Sequence, residues 1–217
     1  TLLLFILNNL SSQLSFSKDK GIYKNKSSWS GIAGGFADVN GDLADDIVLL
    51  NKGRLLQVGF NTGKNSPLKW SNEIAVFQNS EYALAIGDLD NDYKQELISN
   101  GAYSGTKVYK YNEQGDVYFY DNVPTNVYSQ ATNLVDINND GFLDMHICHD
   151  EGNNVILIND GLGNLVEQTI IDFSTIPVSD NSGSYGSEWI DIDNDGDQDL
   201  YIAKCKFGVS DPEDPRR

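Results

Sequence analysis

Apolar and polar positions alternate in short runs along the chain, and no stretch holds a helical 3.6-residue period over ten or more residues. Three kinds of run recur in one order. A segment rich in small residues comes first, as GIAGGFA (31–37), EYALAIG (81–87) and SQATNLV (129–135). After an acidic loop comes a short apolar run: Ile47 to Leu50, Leu97 and Ile98, Met145 to Cys148, and Leu200 to Ala203. A third run follows in RLLQVGF (54–60), TKVYKY (106–111) and NVILI (154–158). The turn formers Asn51-Lys52-Gly53, Gln114-Gly115-Asp116 and Asp160-Gly161 separate the runs, as hairpin connections require. The pattern predicts antiparallel strands throughout.

The acidic loops fix the period. ADVNGDLADDIVL (37–49), GDLDNDYKQELIS (87–99), VDINNDGFLDMHI (135–147) and IDIDNDGDQDLYI (190–202) align with a carboxylate or Asn at relative positions 1, 3, 5 and 9. The sets are Asp38, Asn40, Asp42, Asp46; Asp88, Asp90, Asp92, Glu96; Asp136, Asn138, Asp140, Asp144; and Asp191, Asp193, Asp195, Asp199. Their starts lie 50, 48 and 55 residues apart, and a second anchor (Asn61, Asn112, Asn159) follows the first three starts by 23, 24 and 23 residues. Each of these asparagines is followed within a few residues by Gly63, Gly115 or Gly161. Three to four strands in about 50 residues make the blade of a β-propeller. Small residues suit the innermost strands, which converge on the axis. A β-sandwich is the structural alternative, but it gives no reason for one acidic loop per period.

The expected fold is therefore all-β: a β-propeller with three full blades (31–80, 81–128, 129–183) and a partial fourth (184–217). The propeller repeats span 21–217, preceded by an apolar and Ser-rich segment, 1–20. Propellers usually close with four to eight blades. The remaining blades are expected from further sequence or another chain, since DPEDPRR (211–217) falls in a loop where the fourth blade should continue.

Four oxygen side chains at this spacing in a tight turn converge on a point. Ca²⁺ takes 6–8 oxygens at about 2.3–2.6 Å. The carbonyls at position 7 (Ala44, Lys94, Phe142, Asp197) are candidates to complete such a cage. Gly141 and Gly196 at position 6 suit the sharp turn, whereas Leu43 and Tyr93 stand there in the first two loops and point to strain or weaker binding. An EF-hand is excluded: it needs Glu at position 12 between helices, and Leu49, Ser99, Ile147 and Ile202 occupy that position. Turn capping alone would also use Asp and Asn. Charge argues against that reading, because fourteen of the 32 acidic residues hold these positions in a chain of net charge −17. Carboxylates packed this closely repel without a cation, and four Ca²⁺ would bring the net charge to −9.

These loops, the blade length and the NDG-type hairpin resemble the FG-GAP/VCBS repeats of integrin-α-like β-propellers, most closely in GSEWIDIDNDGDQDLYIA (186–203), over residues 31–205. The resemblance implies that positions 1, 3, 5 and 9 hold Ca²⁺, up to four ions in all. It also implies a secreted or cell-surface protein whose propeller binds protein or glycan partners. Departures from the pattern are Asn40 and Asn138 at position 3, Glu96 at position 9, and the two missing turn glycines.

The remaining residues narrow the choice. With 15 Lys+Arg against 32 Asp+Glu, nucleic acid and anionic membrane surfaces are poor partners, and no apolar run reaches membrane-spanning length. TLLLFILNNL (1–10) reads equally as the end of a signal peptide or as a strand. Asn9 and Asn25 begin N-x-S sequons. His146 and Cys148 share a strand face while His149 points away, with no zinc-ligand spacing; no pairing of Cys148 with Cys205 follows from their positions. Tyr109, Tyr111, Tyr118 and Tyr120 suit inter-sheet packing more than sugar stacking. No nucleophile elbow, phosphate loop or HExxH is present. The leading reading is a non-enzymatic recognition module. The alternatives are the propeller part of a secreted polysaccharide-degrading enzyme and a structural spacer in a large surface protein.

Overall fold

The computed structural model describes residues 33–51, 53–63, 66–174 and 183–205. Segment 1–20, the sequons and the DPEDPRR end lie outside the described residues. Within them the chain is all-β, with no helix. The first sheet runs β1 (Ala33–Ala37), β2 (Asp46–Asn51), β3 (Leu55–Phe60), β4 (Lys69–Trp70), with β5 (Ala75–Val76) also on β3. The second is β6 (Glu81–Gly87), β7 (Glu96–Gly101), β8 (Thr106–Tyr111), β9 (Val117–Val123). The third is β10 (Ser129–Val135), β11 (Asp144–His149), β12 (Val155–Asn159), β13 (Leu165–Gln168). A pair, β14 (Gly183–Ile190) and β15 (Asp199–Cys205), forms the fourth. Every sheet is an antiparallel meander, so each acidic loop is the hairpin joining a sheet's first two strands.

Successive sheets pack face to face, which explains why β7 and β11, the second strands of the two middle sheets, carry no alternation and are buried along their whole length. Between the first two sheets lie Val48, Leu50, Leu56, Val58 and Phe77 with Leu97 and Tyr109. Between the second and third lie Ala85, Ile98 and Val108 with Met145, Ile147 and Leu157. The small residues of the first strands make room for this stacking. A Cβ on Gly35 would stand 2.8 Å from Ile86 Cδ1, and one on Gly87 would stand 2.6 Å from Leu134 Cδ1. A register shift recurs near the start of β6, β10 and β14, between Glu81 and Ala83, Ser129 and Ala131, and Ser184 and Gly186. These bulges share one place in the repeat in β6, β10 and β14.

Candidate metal centre

Each acidic loop closes through two left-handed residues, at positions 4 and 6: Gly41 and Leu43, Asn91 and Tyr93, Asn139 and Gly141, Asn194 and Gly196. Asn tolerates this region better than most residues, so the recurring Asn at position 4 is as much a part of the turn as the glycine after it. The two reversals curl the backbone so that the amides of positions 5 and 6 donate to the carboxylate of position 1. Asp38 accepts from Asp42 and Leu43 at 3.0 and 2.7 Å, and Asp88 from Asp92 and Tyr93 at 3.0 and 2.8 Å. Asp136 accepts from Asp140 and Gly141 at 3.0 and 2.8 Å, and Asp191 from Asp195 and Gly196 at 3.0 Å each. The position-5 carboxylates Asp42, Asp92, Asp140 and Asp195 in turn accept the amides of Ala44, Lys94, Phe142 and Asp197.

Leu43 and Tyr93 hold φ of 69° without a glycine's freedom, while their side chains are largely exposed. Tyr93→Gly removes that strain and loses little packing. It is expected to stabilise the metal-free chain by about 0.5–1 kcal/mol, the left-handed penalty less glycine's entropic cost, read from chemical unfolding in EDTA.

Position 9 plays a different part. Asp46 and Asp144 are fully buried and use both oxygens: Oδ2 accepts from Val39 N–H (3.2 Å) or Ile137 N–H (3.0 Å), and Oδ1 from Asn61 N–H (2.8 Å) or Asn159 N–H (2.9 Å). This ties the acidic loop to the end of the third strand and gives the Asn anchor its structural reason. Asn159 extends the tie between sheets, its Nδ2 donating to Leu89 O at 2.7 Å and Leu143 O at 3.0 Å. Glu96 Oε2 accepts from Leu89 N–H at 2.7 Å, and Asp199 Oδ2 from Ile192 N–H at 3.0 Å. Burial raises the pKa of Asp46 and Asp144 against the pull of these amides, and burial with nearby Asp90 lifts Glu96 to about 7. In the exposed fourth loop the Asp195 carboxylate beside Asp197 holds the latter above its usual range.

The loops bring carboxylates together in two places. Asp88, Asp90 and Glu96 each offer an oxygen within 4.8 Å of the others, and so do Asp191, Asp193 and Asp199. Positions 1, 3 and 9 thus form the convergent set, with position 5 beside it. In the first and third loops position 3 is Asn. Asn40 and Asn138 use Oδ1 to accept the position-5 amide and Nδ2 to donate to Asp42 and Asp140, at 3.1 and 2.8 Å. The convergent oxygens fit a hard cation, and Asp90 Oδ1 is buried with no hydrogen-bond partner. Neighbouring loops also touch: Asn91 Nδ2 donates to Gly141 O at 3.4 Å.

The other candidate residues are structural. His146 is buried between the third and fourth sheets, its Nδ1 3.0 Å from Ser187 Oγ and its Nε2 3.1 Å from Asn154 Nδ2. Ser187 also donates to Asn133 Oδ1. The Asn154 amide donates to Nε2, so the proton sits on Nδ1 and Ser187 accepts it. Cys148 is a buried free thiol and Cys205 an exposed one. Of the four tyrosines, Tyr109 is buried edge-on to Phe77 and Phe119, and Tyr111 meets Phe60. Tyr118 and Tyr120 are partly exposed in β9, with the Lys110 ammonium over the Tyr120 ring. Lys110 carried no distinguishing mark in the sequence, yet it is ion-paired with Asp90.

Repeated antiparallel sheets, each with an acidic first hairpin, define a β-repeat protein. Residues 136–202, which run from the first carboxylate of the third loop to the strand after the fourth, match the family model of the FG-GAP-like repeat. The match covers the segment that holds the last two loops and is consistent with the repeat family that the sequence resembled. No curated protein matches the chain significantly.

Proposed function

We propose that the chain is a calcium-binding extracellular β-propeller module that recognises protein or glycan partners and has no enzymatic activity of its own. The four sheets correspond in this reading to blades 31–80, 81–128, 129–183 and 184–217, completed by blades from outside these residues. Calcium is held at positions 1, 3, 5 and 9, with the position-7 carbonyls of Ala44, Lys94, Phe142 and Asp197 as further ligands. The observation that carries the reading is the convergence of Asp88, Asp90 and Glu96, and of Asp191, Asp193 and Asp199, in equivalent hairpins. The FG-GAP-like match over the last two loops supports it. Bound calcium would neutralise these carboxylates and lock the first hairpin of each sheet, presenting a rigid rim to a partner.

Among the described residues no helix is long and apolar enough to cross a membrane. Thermal unfolding in EDTA, Mg²⁺ and Ca²⁺ tests the proposal. Each site adds about 1.4 kcal/mol at tenfold over its Kd, so the midpoint is expected to rise with Ca²⁺ and much less with Mg²⁺. Equal shifts with both ions, or none, overturn the reading.

A further inference from the structure

The second loop differs from its neighbours by one buried cation. Lys110, in β8, places its ammonium 2.7 Å from Asp90 Oδ2, and its side chain is only 12% exposed. The same ammonium lies 4.2 Å from the centroid of the Tyr120 ring, which holds it in place from the other side. A Cβ on Gly163, in the adjoining turn of the third sheet, would stand 3.2 Å from Lys110 Nζ and 3.4 Å from Asp90 Cβ, so this turn closes over the pair. Strand registers show that the position is otherwise apolar. Tyr109 pairs with Leu97 as Gly59 pairs with Ile47 and Leu157 with Met145, so Lys110 corresponds to Phe60 and Ile158. Lys94 also reaches this loop, at 3.2 Å from Asp92 Oδ2, but that pair is exposed and contributes little.

We propose that Lys110 is a built-in countercharge of the second loop, holding Asp90 when no metal is bound and keeping the loop's calcium affinity below that of the bare carboxylate set. The inference rests on the calcium reading above. Asp90 belongs to the convergent group with Asp88 and Glu96, so an incoming cation must share Asp90 with the ammonium or displace it. Sharing sets two like charges at close range, and displacement breaks the ion pair with Asp90 and the contact with the Tyr120 ring. The second loop would therefore stay assembled at low calcium and fill at higher calcium than its carboxylates alone would dictate.

The test resolves the loops one by one. The amides of Leu43, Tyr93, Gly141 and Gly196 each donate to their own loop's first carboxylate, so their resonances in a ¹⁵N–¹H spectrum report each loop during a Ca²⁺ titration of the full chain. Lys110→Met keeps an apolar stem against Tyr120 and removes the charge. It is expected to lower the Ca²⁺ midpoint of the Tyr93 amide by about tenfold and leave that of Gly141 unchanged. Lys110→Arg retains the charge and is expected to titrate near the parent. In EDTA, Lys110→Met should unfold at a lower temperature than the parent, with the gap closing in Ca²⁺, because the metal then neutralises Asp90. An unchanged Tyr93 midpoint in Lys110→Met, while Gly141 titrates normally, overturns the role of Lys110. If none of the four amides responds to millimolar Ca²⁺, the calcium reading itself fails, and this inference with it.

Discussion

Replacing Asp144 by Ala is expected to cost about 3 kcal/mol of stability, in EDTA as well as in Ca²⁺. Asp144 is fully buried, and its two oxygens accept the amides of Ile137 at 3.0 Å and Asn159 at 2.9 Å. Alanine leaves both donors without an acceptor inside the fold, at roughly 1–3 kcal/mol each. The damage is not confined to the loop. Asn159 bridges Leu89 O and Leu143 O, so losing its anchor loosens the contact between the second and third sheets. Asp199 is the internal comparison. It accepts Ile192 N–H at 3.0 Å and lies less deeply, so Asp199→Ala should cost about 1 kcal/mol in EDTA. Chemical unfolding of both variants in EDTA checks the difference. Equal losses would mean that the deeper burial of Asp144 and its second backbone amide add nothing to what the position-9 carboxylate contributes.

Acid should act through His146 by a comparable amount. Burial alone lowers its pKa from 6.5 to about 4, because Ser187, Asn154, Phe173 and Trp189 surround the ring and none offers a compensating charge. The unfolded chain therefore takes up a proton at this site between pH 6.5 and 4 while the folded chain does not. The histidine's favourable contribution is complete above pH 6.5 and falls by about 1.4 kcal/mol per pH unit as acid is added, reaching about 3 kcal/mol of loss near pH 4. The raised carboxyl of Glu96 works in the opposite direction, binding a proton in the folded state up to about pH 7. The comparison that isolates His146 is thus the parent against His146→Gln. The stability difference between them is expected to narrow or reverse from pH 7.5 to 4.5, as followed by urea unfolding. A pH-independent difference would contradict the buried neutral imidazole.

Much of the fold was legible because two periods coincide in the sequence. The acidic loops and the Asn anchors mark the same unit, and EYALAIG, SQATNLV and TKVYKY emerge as β6, β10 and β8 at their expected limits. The need for small residues in the first strands was legible, but the reason expected was convergence on an axis, whereas Gly35 and Gly87 meet Ile86 and Leu134 of the next sheet. The bulges were not, because an extra residue in a first strand leaves the apolar pattern of its neighbours intact. At the loops the residue set was legible but the division of labour was not. Spacing cannot tell that Asp46 and Asp144 turn inward onto backbone amides while Asp92 and Asp195 cap the turn. Lys110 was hidden for a simpler reason: it reaches Asp90 from another strand, 20 residues away, and a lysine between two tyrosines looks like a solvated strand position.

The central claim is that the acidic hairpins hold calcium, and calorimetric titration of Ca²⁺ into the EDTA-stripped chain addresses it most directly. The expected result is saturable binding of up to four Ca²⁺ per chain, little displaced by Mg²⁺, with the stoichiometry falling by one in the Asp191→Asn, Asp193→Asn double variant. Absence of binding at millimolar Ca²⁺, or a stoichiometry unchanged by the double variant, would contradict it.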